Sequence, residues 1–171
     1  MEGTIPLEIS LLGKSLQSIE VNLQLELKGT IPTVVGLLKK MTRIMLSATS
    51  IDGSLPTEFG QLQSLQLLQL YMTPIHGHIP SEIGRMCNLS AFAVGRTDLT
   101  GSVPEVIHNA IQLRSLELST RSIATVVSIP SELGELTELI SLVLLDWNLH
   151  RTIPNQLEKL EKLEALNLHG N

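Results

Sequence analysis

The sequence predicts a single α/β solenoid, a stack of about seven short coils built on a parallel β-sheet. A proline follows an aliphatic residue at nearly constant spacing, at Pro6, Pro32, Pro56, Pro80, Pro104, Pro130 and Pro154. The steps between these prolines are 26, 24, 24, 24, 26 and 24 residues. A run of leucine-type residues recurs at fixed positions after each proline. Repeats of this length bury their apolar edges by stacking on one another, so we expect one elongated domain over residues 1–171.

The first five repeats open with a Gly-x-aliphatic-Pro step, for example Gly53-Ser54-Leu55-Pro56, and the last two have Val127 and Arg151 in place of the glycine. The glycine permits a tight bend, and the proline fixes an extended backbone. A short helical turn should follow, closed by a glycine C-cap such as Gly60. Glutamates recur on the solvent side of this turn, and we interpret them as a solvated face rather than an acidic docking stripe. They are Glu8, Glu58, Glu82 and Glu132.

The strand segment has the pattern L-x-x-L-x-x-L-x-L, as at Leu62, Leu65, Leu68 and Leu70. Its last pair alternates as a β-strand does, so one side chain points inward while its neighbours face out. We expect about seven such strands to pair in parallel at about 4.8 Å, giving a sheet roughly 30 Å long.

After each strand comes a position where a buried polar residue should bond to backbone groups of adjacent coils. It is occupied by Gln24, Thr49, Thr73, Thr97, Arg121, Trp147 and Asn171. Threonine makes fewer hydrogen bonds than asparagine, so this polar ladder should be weak. Arg121 and Trp147 are too large for a small slot, so we expect them to swing outward, or the register to slip so that Asn148 takes the role. The stretch 121–128 contains two inserted residues and predicts a local bulge.

Composition excludes several classes of function. The chain is 43% hydrophobic but 2% aromatic, with a net charge of −5, so few rings are available to stack on bases. Nucleic acids and anionic membranes require clustered lysine and arginine, and we expect neither as a partner. No apolar run reaches the roughly 18 to 20 residues of a transmembrane helix, so we expect no membrane insertion within this segment. The single Cys87 excludes an internal disulfide, and we expect it in a small buried apolar slot.

The phrase Leu-x-Gly-x-Ile-Pro-x-x-Leu-Gly-x-Leu covers the chain from Gly3 to Asn171. It resembles the plant-specific class of leucine-rich repeats, found in receptor-kinase ectodomains, receptor-like proteins and polygalacturonase inhibitors, with similar arrays in algal proteins. The resemblance implies a right-handed superhelix with a concave parallel sheet, short helical turns or irregular segments on the convex side, and binding through the concave or lateral face. It does not imply an enzyme.

The compartment stays open between two alternatives. The resemblance implies an extracellular protein or the ectodomain of a membrane protein. The paired-cysteine caps usual in secreted members are missing, which leaves an intracellular location possible. Because neither end resembles the polar cap that solenoids need, we expect residues 1–171 to be a fragment of a longer protein.

No arrangement of residues typical of a catalytic site, a phosphate loop or a cofactor site is present. We therefore predict no enzymatic activity and no cofactor. The pair His76 and His78 lacks a third ligand in view, and we interpret it as a polar turn rather than a metal site. Asn88-Leu89-Ser90 is an N-glycosylation sequon, which predicts that Asn88 is modified if the array is secreted.

The outward positions of the middle strands are unusually apolar and small. They carry an aromatic side chain and an arginine, which are residue types that anchor interfaces. The predicted binding residues are Met45, Leu67, Gln69, Tyr71, Met72, Ala93, Arg96 and Glu117. Two interpretations stay open: a docking site for a protein or peptide, or a surface covered by a neighbouring part of the same protein.

The sequence therefore favours a non-enzymatic recognition module of a receptor-like or secreted protein, which binds a protein or peptide on its concave face. An inhibitor of a carbohydrate-active enzyme is a narrower form of the same hypothesis. The alternative from another class is a structural or scaffold subunit, whose faces are covered permanently by neighbouring subunits of a larger complex.

Overall fold

The computed structural model describes residues 3–122, 126–150 and 152–171. Within them, each coil passes from a short 3-10 helix on one side to a strand on the other. The helices are η1 Leu7–Leu12, η2 Thr33–Leu37, η3 Thr57–Gln61, η4 Ser81–Arg85, η5 Glu105–Asn109, η6 Ser131–Glu135 and η7 Asn155–Lys159. The strands are β1 Ser18–Thr30, β2 Arg43–Asp52, β3 Leu67–Tyr71, β4 His76–Gly77, β5 Ala91–Leu99, β6 Ser115–Thr120, β7 Ser141–Leu145 and β8 Ala165–Asn167.

The strands form one parallel sheet in the order β1-β2-β3-β5-β6-β7-β8, with β4 paired to β5 outside this path. Equivalent residues of successive repeats are direct partners: Ile44 pairs with Leu68, and Leu68 with Phe92. This register confirms that the repeats stack in step with the proline spacing. None of the helices in the described part of the chain is long and apolar enough to cross a bilayer.

The core is a series of aliphatic layers between the sheet and the helices. The four positions predicted from the leucine pattern are buried in the middle coils; Leu62, Leu65, Leu68 and Leu70 are each 0% exposed. Burial of each such side chain contributes about 1.5–3 kcal/mol of transfer free energy. In the last coil Leu166 is 48% exposed, because no further coil covers it in this structure.

The prediction of a glycine C-cap is wrong. Gly36 and Gly60 lie inside their 3-10 helices, and the C-cap residues are Leu38 and Leu62. A Cβ atom at Gly60 would lie 2.7 Å from the backbone oxygen of Glu82. Glycine is required here because adjacent coils approach closely, not because the backbone must reverse. The predicted tight bend is confirmed at the other glycine of the repeat, since Gly53 has φ +78°.

The glutamate column is less solvated than we predicted. Glu8 is exposed, but Glu58, Glu82 and Glu132 are only partly exposed. The Cβ atoms of Glu58 and Glu82 lie over the glycines of the preceding coils, so the stems of these side chains take part in packing between helices.

The polar ladder is weak, as predicted, and its register differs from the sequence alignment. Thr49, Thr73 and Thr97 are buried, and their hydroxyls have no hydrogen-bond partner in the structure. The next member is Thr120, not Arg121, because Thr97 pairs with Thr120 in the sheet. The Thr120 hydroxyl donates to the Leu99 oxygen at 2.7 Å and accepts from the Ser122 backbone nitrogen at 3.0 Å.

Arg121 is exposed and swings outward, as predicted. For Trp147 the prediction is wrong: it is 2% exposed, and its Nε1 donates to the backbone oxygen of Gly101 at 3.0 Å. The Oδ1 atom of Asn171 accepts from the backbone nitrogens of Trp147 and Leu149, so Asn171 acts as a ladder residue. The bulge predicted for 121–128 has its centre, 123–125, outside the described residues.

Cys87 is also placed differently from the prediction. It is exposed, and its Sγ lies 3.5 Å from the Arg85 oxygen. Cys87 lies in the turn between η4 and β5, where its predecessor Met86 fills the interior slot with 0% exposure.

Candidate functional site

The outward side chains of the sheet form three rows that run across the strands, and we call this surface the concave face. Strand register places each row. The first contains Arg43, Leu67, Ala91, Ser115, Ser141 and Ala165. The middle row contains Met45, Gln69, Ala93, Glu117, Val143 and Asn167. The third row includes Ser47, Tyr71 and Gly95, with Ser119 and Leu145 on the following strands.

The structure brings the eight predicted binding residues together on four neighbouring strands and the turns after them. Four are successive members of the middle row: Met45, Gln69, Ala93 and Glu117. Leu67 and Tyr71 lie in the rows on either side, while Met72 and Arg96 directly follow the third row.

This surface is less exposed than the sequence suggested. Met45, Leu67, Gln69, Tyr71, Ala93 and Glu117 are all only partly exposed. Strands about 4.8 Å apart crowd their outward side chains against one another, so each presents only part of its area to solvent. Met72 is more accessible, at 48% exposed, and Arg96 is exposed as well.

The residues that directly follow the third row have an unusual backbone. Met72, Arg96 and Asp146 have φ values of 55°, 52° and 51°, in the left-handed region that non-glycine residues seldom adopt. These residues occupy the same position in their respective coils, one residue before the ladder position. The left-handed residue bends the chain directly after the third row, which forms a rim along this edge of the concave face.

A hollow of about 570 Å³ opens beside this rim. It is lined by Tyr71, Arg96, Ser119, Thr120, Arg121, Leu145 and Asp146. The backbone nitrogen of Arg96 donates to the Ser119 hydroxyl at 2.9 Å, which joins the walls contributed by two coils. We call this cavity the rim hollow.

The rim hollow carries charge of both signs. The Arg121 guanidinium donates to the two oxygens of Asp98 at 3.2 and 2.8 Å, so its charge is partly balanced. Both side chains are about half exposed, so solvent screens this pair. Arg96 and Asp146 line the same cavity as Tyr71 and Leu145. Chemically, the site offers apolar contact and opposite charges within one cavity.

The sequence did not point to Arg121, Leu145 or Asp146 as site residues. Asp146 holds the position of Arg96 two coils later, and Leu145 holds that of Tyr71. Choosing in every coil the last outward strand residue and the residue after it, as at Tyr71 and Met72, would have identified Leu145 and Asp146. Arg121 could not be found this way, because the alignment put it in the ladder and not on the rim.

The remaining sequence-predicted sites are exposed. Asn88 lies on the surface, and its Nδ2 donates to the Gln63 oxygen of the preceding coil at 2.7 Å. His76 and His78 are exposed as well. Across residues 3–122, 126–150 and 152–171, no three His, Cys, Asp or Glu side chains are grouped so that they could hold a metal ion.

A family model described as a leucine-rich repeat region matches residues 15–171. Among curated proteins, none matches the chain. Among solved structures, the chain is similar to the plant peptide hormone receptor RGFR1 in complex with RGF2, at 32% identity and a TM-score of 0.90. That match covers 98% of this chain and 26% of the receptor.

Two further structures extend the comparison. The Arabidopsis receptor kinase HAESA, in complex with the peptide hormone IDA and the co-receptor SERK1, is 28% identical with a TM-score of 0.87. The match covers 98% of this chain and 28% of that one. A plant ice-binding protein is 26% identical with a TM-score of 0.80, over 99% of this chain and 54% of its own. The chain thus spans only about a quarter of the length of the receptors that it matches.

Proposed function

This chain belongs to the leucine-rich repeat family, and we propose that it is a non-enzymatic module that binds a peptide or protein ligand on its concave face. Its repeats are of the plant type; one similar structure is a plant peptide hormone receptor in complex with RGF2, and another is a receptor kinase in complex with a peptide hormone. The observation that carries the proposal is the group of apolar outward side chains on β3 and β5, which are Leu67, Tyr71, Ala91 and Ala93. Tyr71 at one end of this group also lines the rim hollow.

We expect the ligand to lie extended across β2, β3, β5 and β6. Ala91 and Ala93 on β5 give a low floor on which a backbone can approach the sheet, beside the larger side chains of Leu67 and Gln69 on β3. Apolar ligand side chains would pack on Met45, Leu67 and Tyr71. Arg96 would bond to a carboxylate or backbone oxygen of the ligand, because arginine is suited to planar oxygen acceptors.

The test is selection of peptides from a displayed library on the immobilised chain, followed by affinity measurement with two variants. Tyr71→Ala and Arg96→Glu should each weaken binding of a selected peptide by about tenfold or more, as anchoring residues of an interface do. Arg85→Glu is the matched control, because Arg85 is exposed on η4, on the opposite side of the coil. Unchanged affinity in both site variants, with intact folding, would refute the concave-face site.

The structural-subunit alternative gives a different result in the same preparation. A scaffold subunit should co-purify in fixed stoichiometry with other proteins and should select no peptide that competes for the concave face. An inhibitor of a carbohydrate-active enzyme should instead retain such an enzyme from an extract and lower its activity.

A second candidate function is ice binding, which the similarity to a plant ice-binding protein favours. The residue two positions before each repeat proline carries an exposed hydroxyl in every coil but one, where it is His78; these residues are Thr4, Thr30, Ser54, Ser102, Ser128 and Thr152. Thermal hysteresis of the purified chain tests this candidate. A measurable effect that Thr30→Lys and Ser54→Lys abolish would support it, and no hysteresis in the unmodified chain would exclude it.

A further inference from the structure

The convex side of the first two coils carries exposed leucines at a position that is polar in every later coil. Leu11 is 82% exposed and Leu37 is 53% exposed. Both lie five residues after the proline of their repeat. The equivalent residues in the later coils are Gln61, Arg85, Asn109, Glu135 and Lys159. Because the fold accepts polar side chains here, packing of the core does not require leucine.

The two leucines line one open hollow, with a volume of about 440 Å³. The hollow lies where the first coil meets the second, and Gly13 of the first coil lies close to the backbone of the second. A Cβ atom at Gly13 would lie 2.7 Å from the Leu37 oxygen. This close approach brings Leu11 and Leu37 onto walls of the same cavity, although they belong to different repeats.

Three lysines complete the lining, and no carboxylate does. They are Lys14, Lys39 and Lys40, on a chain with a net charge of −5. The Nζ atom of Lys39 donates to Oε1 of Gln61 at 3.1 Å and to its backbone oxygen at 3.3 Å. The ion pairs found in the described part of the chain involve other residues, so these lysine charges have no acidic partner within it.

We propose that this surface, the convex basic patch, is a docking site for an acidic amphipathic segment of a partner protein. Apolar side chains of that segment enter the hollow against Leu11 and Leu37, and its carboxylates face Lys14 and Lys40. The complementary charge identifies the partner as acidic, and the exposed leucines require an apolar face.

A protein segment fits this patch better than a lipid bilayer does. The two leucines lie on separate coils on the walls of an open hollow, which accepts protruding side chains, whereas a bilayer presents a flat surface. Lys39 is held back against Gln61, so it forms part of the wall and does not extend outward. The patch lies on the helical side of the coil, so it and the concave face can be occupied at the same time.

The test measures binding of a labelled synthetic helical peptide, with leucines on one face and glutamates on the other, by fluorescence anisotropy. The peptide should bind the full chain, and its affinity should fall as salt increases, because the lysine contacts are screened. The double variant Leu11→Gln/Leu37→Gln should lose about tenfold or more in affinity. It should fold normally, since Gln61 is native at the equivalent position. Lys14→Gln/Lys40→Gln should weaken binding and flatten the salt dependence.

Ile111→Gln is the matched control, because Ile111 is an apolar side chain that is 59% exposed on another coil. It should leave binding unchanged, and a peptide with lysine in place of glutamate should not bind. The proposal is overturned if the leucine and lysine variants bind as the unmodified chain does, or if Ile111→Gln is equally damaging. It is also overturned if vesicles of anionic phospholipid bind through these residues while the acidic peptide does not.

Discussion

The phenol ring of Tyr71 lies directly over the backbone of Gly95, the paired residue of the adjacent coil. A Cβ atom at Gly95 would lie 2.6 Å from Cδ2 of the ring, a separation that real contacts do not reach. The ring therefore takes its place on the concave face because the neighbouring strand carries no side chain there. This relationship positions the largest apolar group of the candidate site.

Substitution of Gly95→Ala should displace the Tyr71 ring while leaving the coil stack intact. The ring is held at one end of a rotatable side chain, so it can move away from the added methyl group. We expect the affinity of a concave-face ligand to fall, with little change in far-ultraviolet circular dichroism. Tyr71 is the single tyrosine, so its ring resonances report the displacement directly. Unshifted tyrosine resonances in the variant would show that the ring does not depend on Gly95.

Thr73→Val should stabilise the protein. The Thr73 side chain is buried, with 1% exposure, and its hydroxyl has no partner. Removing a buried, unsatisfied hydroxyl should raise the free energy of unfolding by about 1 kcal/mol. Thr120→Val is the control, since the Thr120 hydroxyl is bonded, and it should be destabilising by about 1–3 kcal/mol. Urea denaturation measures the free energy of unfolding of both variants. An equal decrease in the two would show that the hydroxyls of Thr73 and Thr120 do not differ in their contribution.

Leu23→Gly should also stabilise the protein, although it removes a large side chain. Leu23 is 80% exposed and has φ 56°, a conformation that costs about 1–2 kcal/mol for a residue with a Cβ atom. Glycine loses more conformational entropy on folding than leucine, which offsets about 0.5–1 kcal/mol of this gain. A net increase of about 0.5–1 kcal/mol in the free energy of unfolding should remain. Leu25→Gly, at a second exposed leucine of β1, should instead be destabilising, because the chain is extended there. Thermal unfolding of both variants would reveal the opposite signs.

Trp147 should be essential for the stability of the last coils. It is buried, and its indole joins its own coil to Gly101, which lies 46 residues earlier. Trp147→Ala should cost about 3–5 kcal/mol of unfolding free energy. Trp147→Phe retains a ring but loses the hydrogen bond, and should cost about 1–2 kcal/mol. Circular dichroism during urea denaturation measures both; a loss in Trp147→Ala no larger than that in Trp147→Phe would contradict the packing role.

Glu138 should titrate below its ordinary range. A hydrogen bond from Lys162, at 2.5 Å, lowers the pKa of this exposed carboxyl, and the positive charge of the same lysine lowers it further. Since the pKa is lower in the folded state, the stabilising contribution is present above the unfolded pKa and is lost as pH falls through the folded pKa. Lys162→Met should return the Glu138 pKa toward its usual value in an NMR titration. An unchanged titration in that variant would exclude the pair.

Much of the fold could be predicted from the order of residues alone. Prolines at steps of 24 and 26 residues predicted the number of coils, and the leucine pattern predicted that Leu68, Phe92 and their equivalents would stack. These features follow from local chemistry: each coil has an apolar edge that it can cover only with the next coil. The concave-face residues were predicted for the same reason, since alternation in a strand determines which side chains face outward.

Other features depended on how neighbouring coils fill the space between them. The sequence alignment put Arg121 in the polar ladder, but Thr120 is the residue paired with Thr97. Gly60 resembled a helix cap, but the closeness of Glu82 is what requires glycine. In each case the deciding contact joins residues more than twenty positions apart, which no local pattern records.

By itself, then, the sequence determined a parallel stack of leucine-rich coils and the face on which a ligand is proposed to bind. Only the tertiary structure decided that Trp147 turns inward, that Arg121 joins the rim hollow, and that Leu11 and Leu37 line one cavity. The physical reason is that repeat spacing fixes which coils touch, whereas the volume left between touching coils fixes which side chains they can accept.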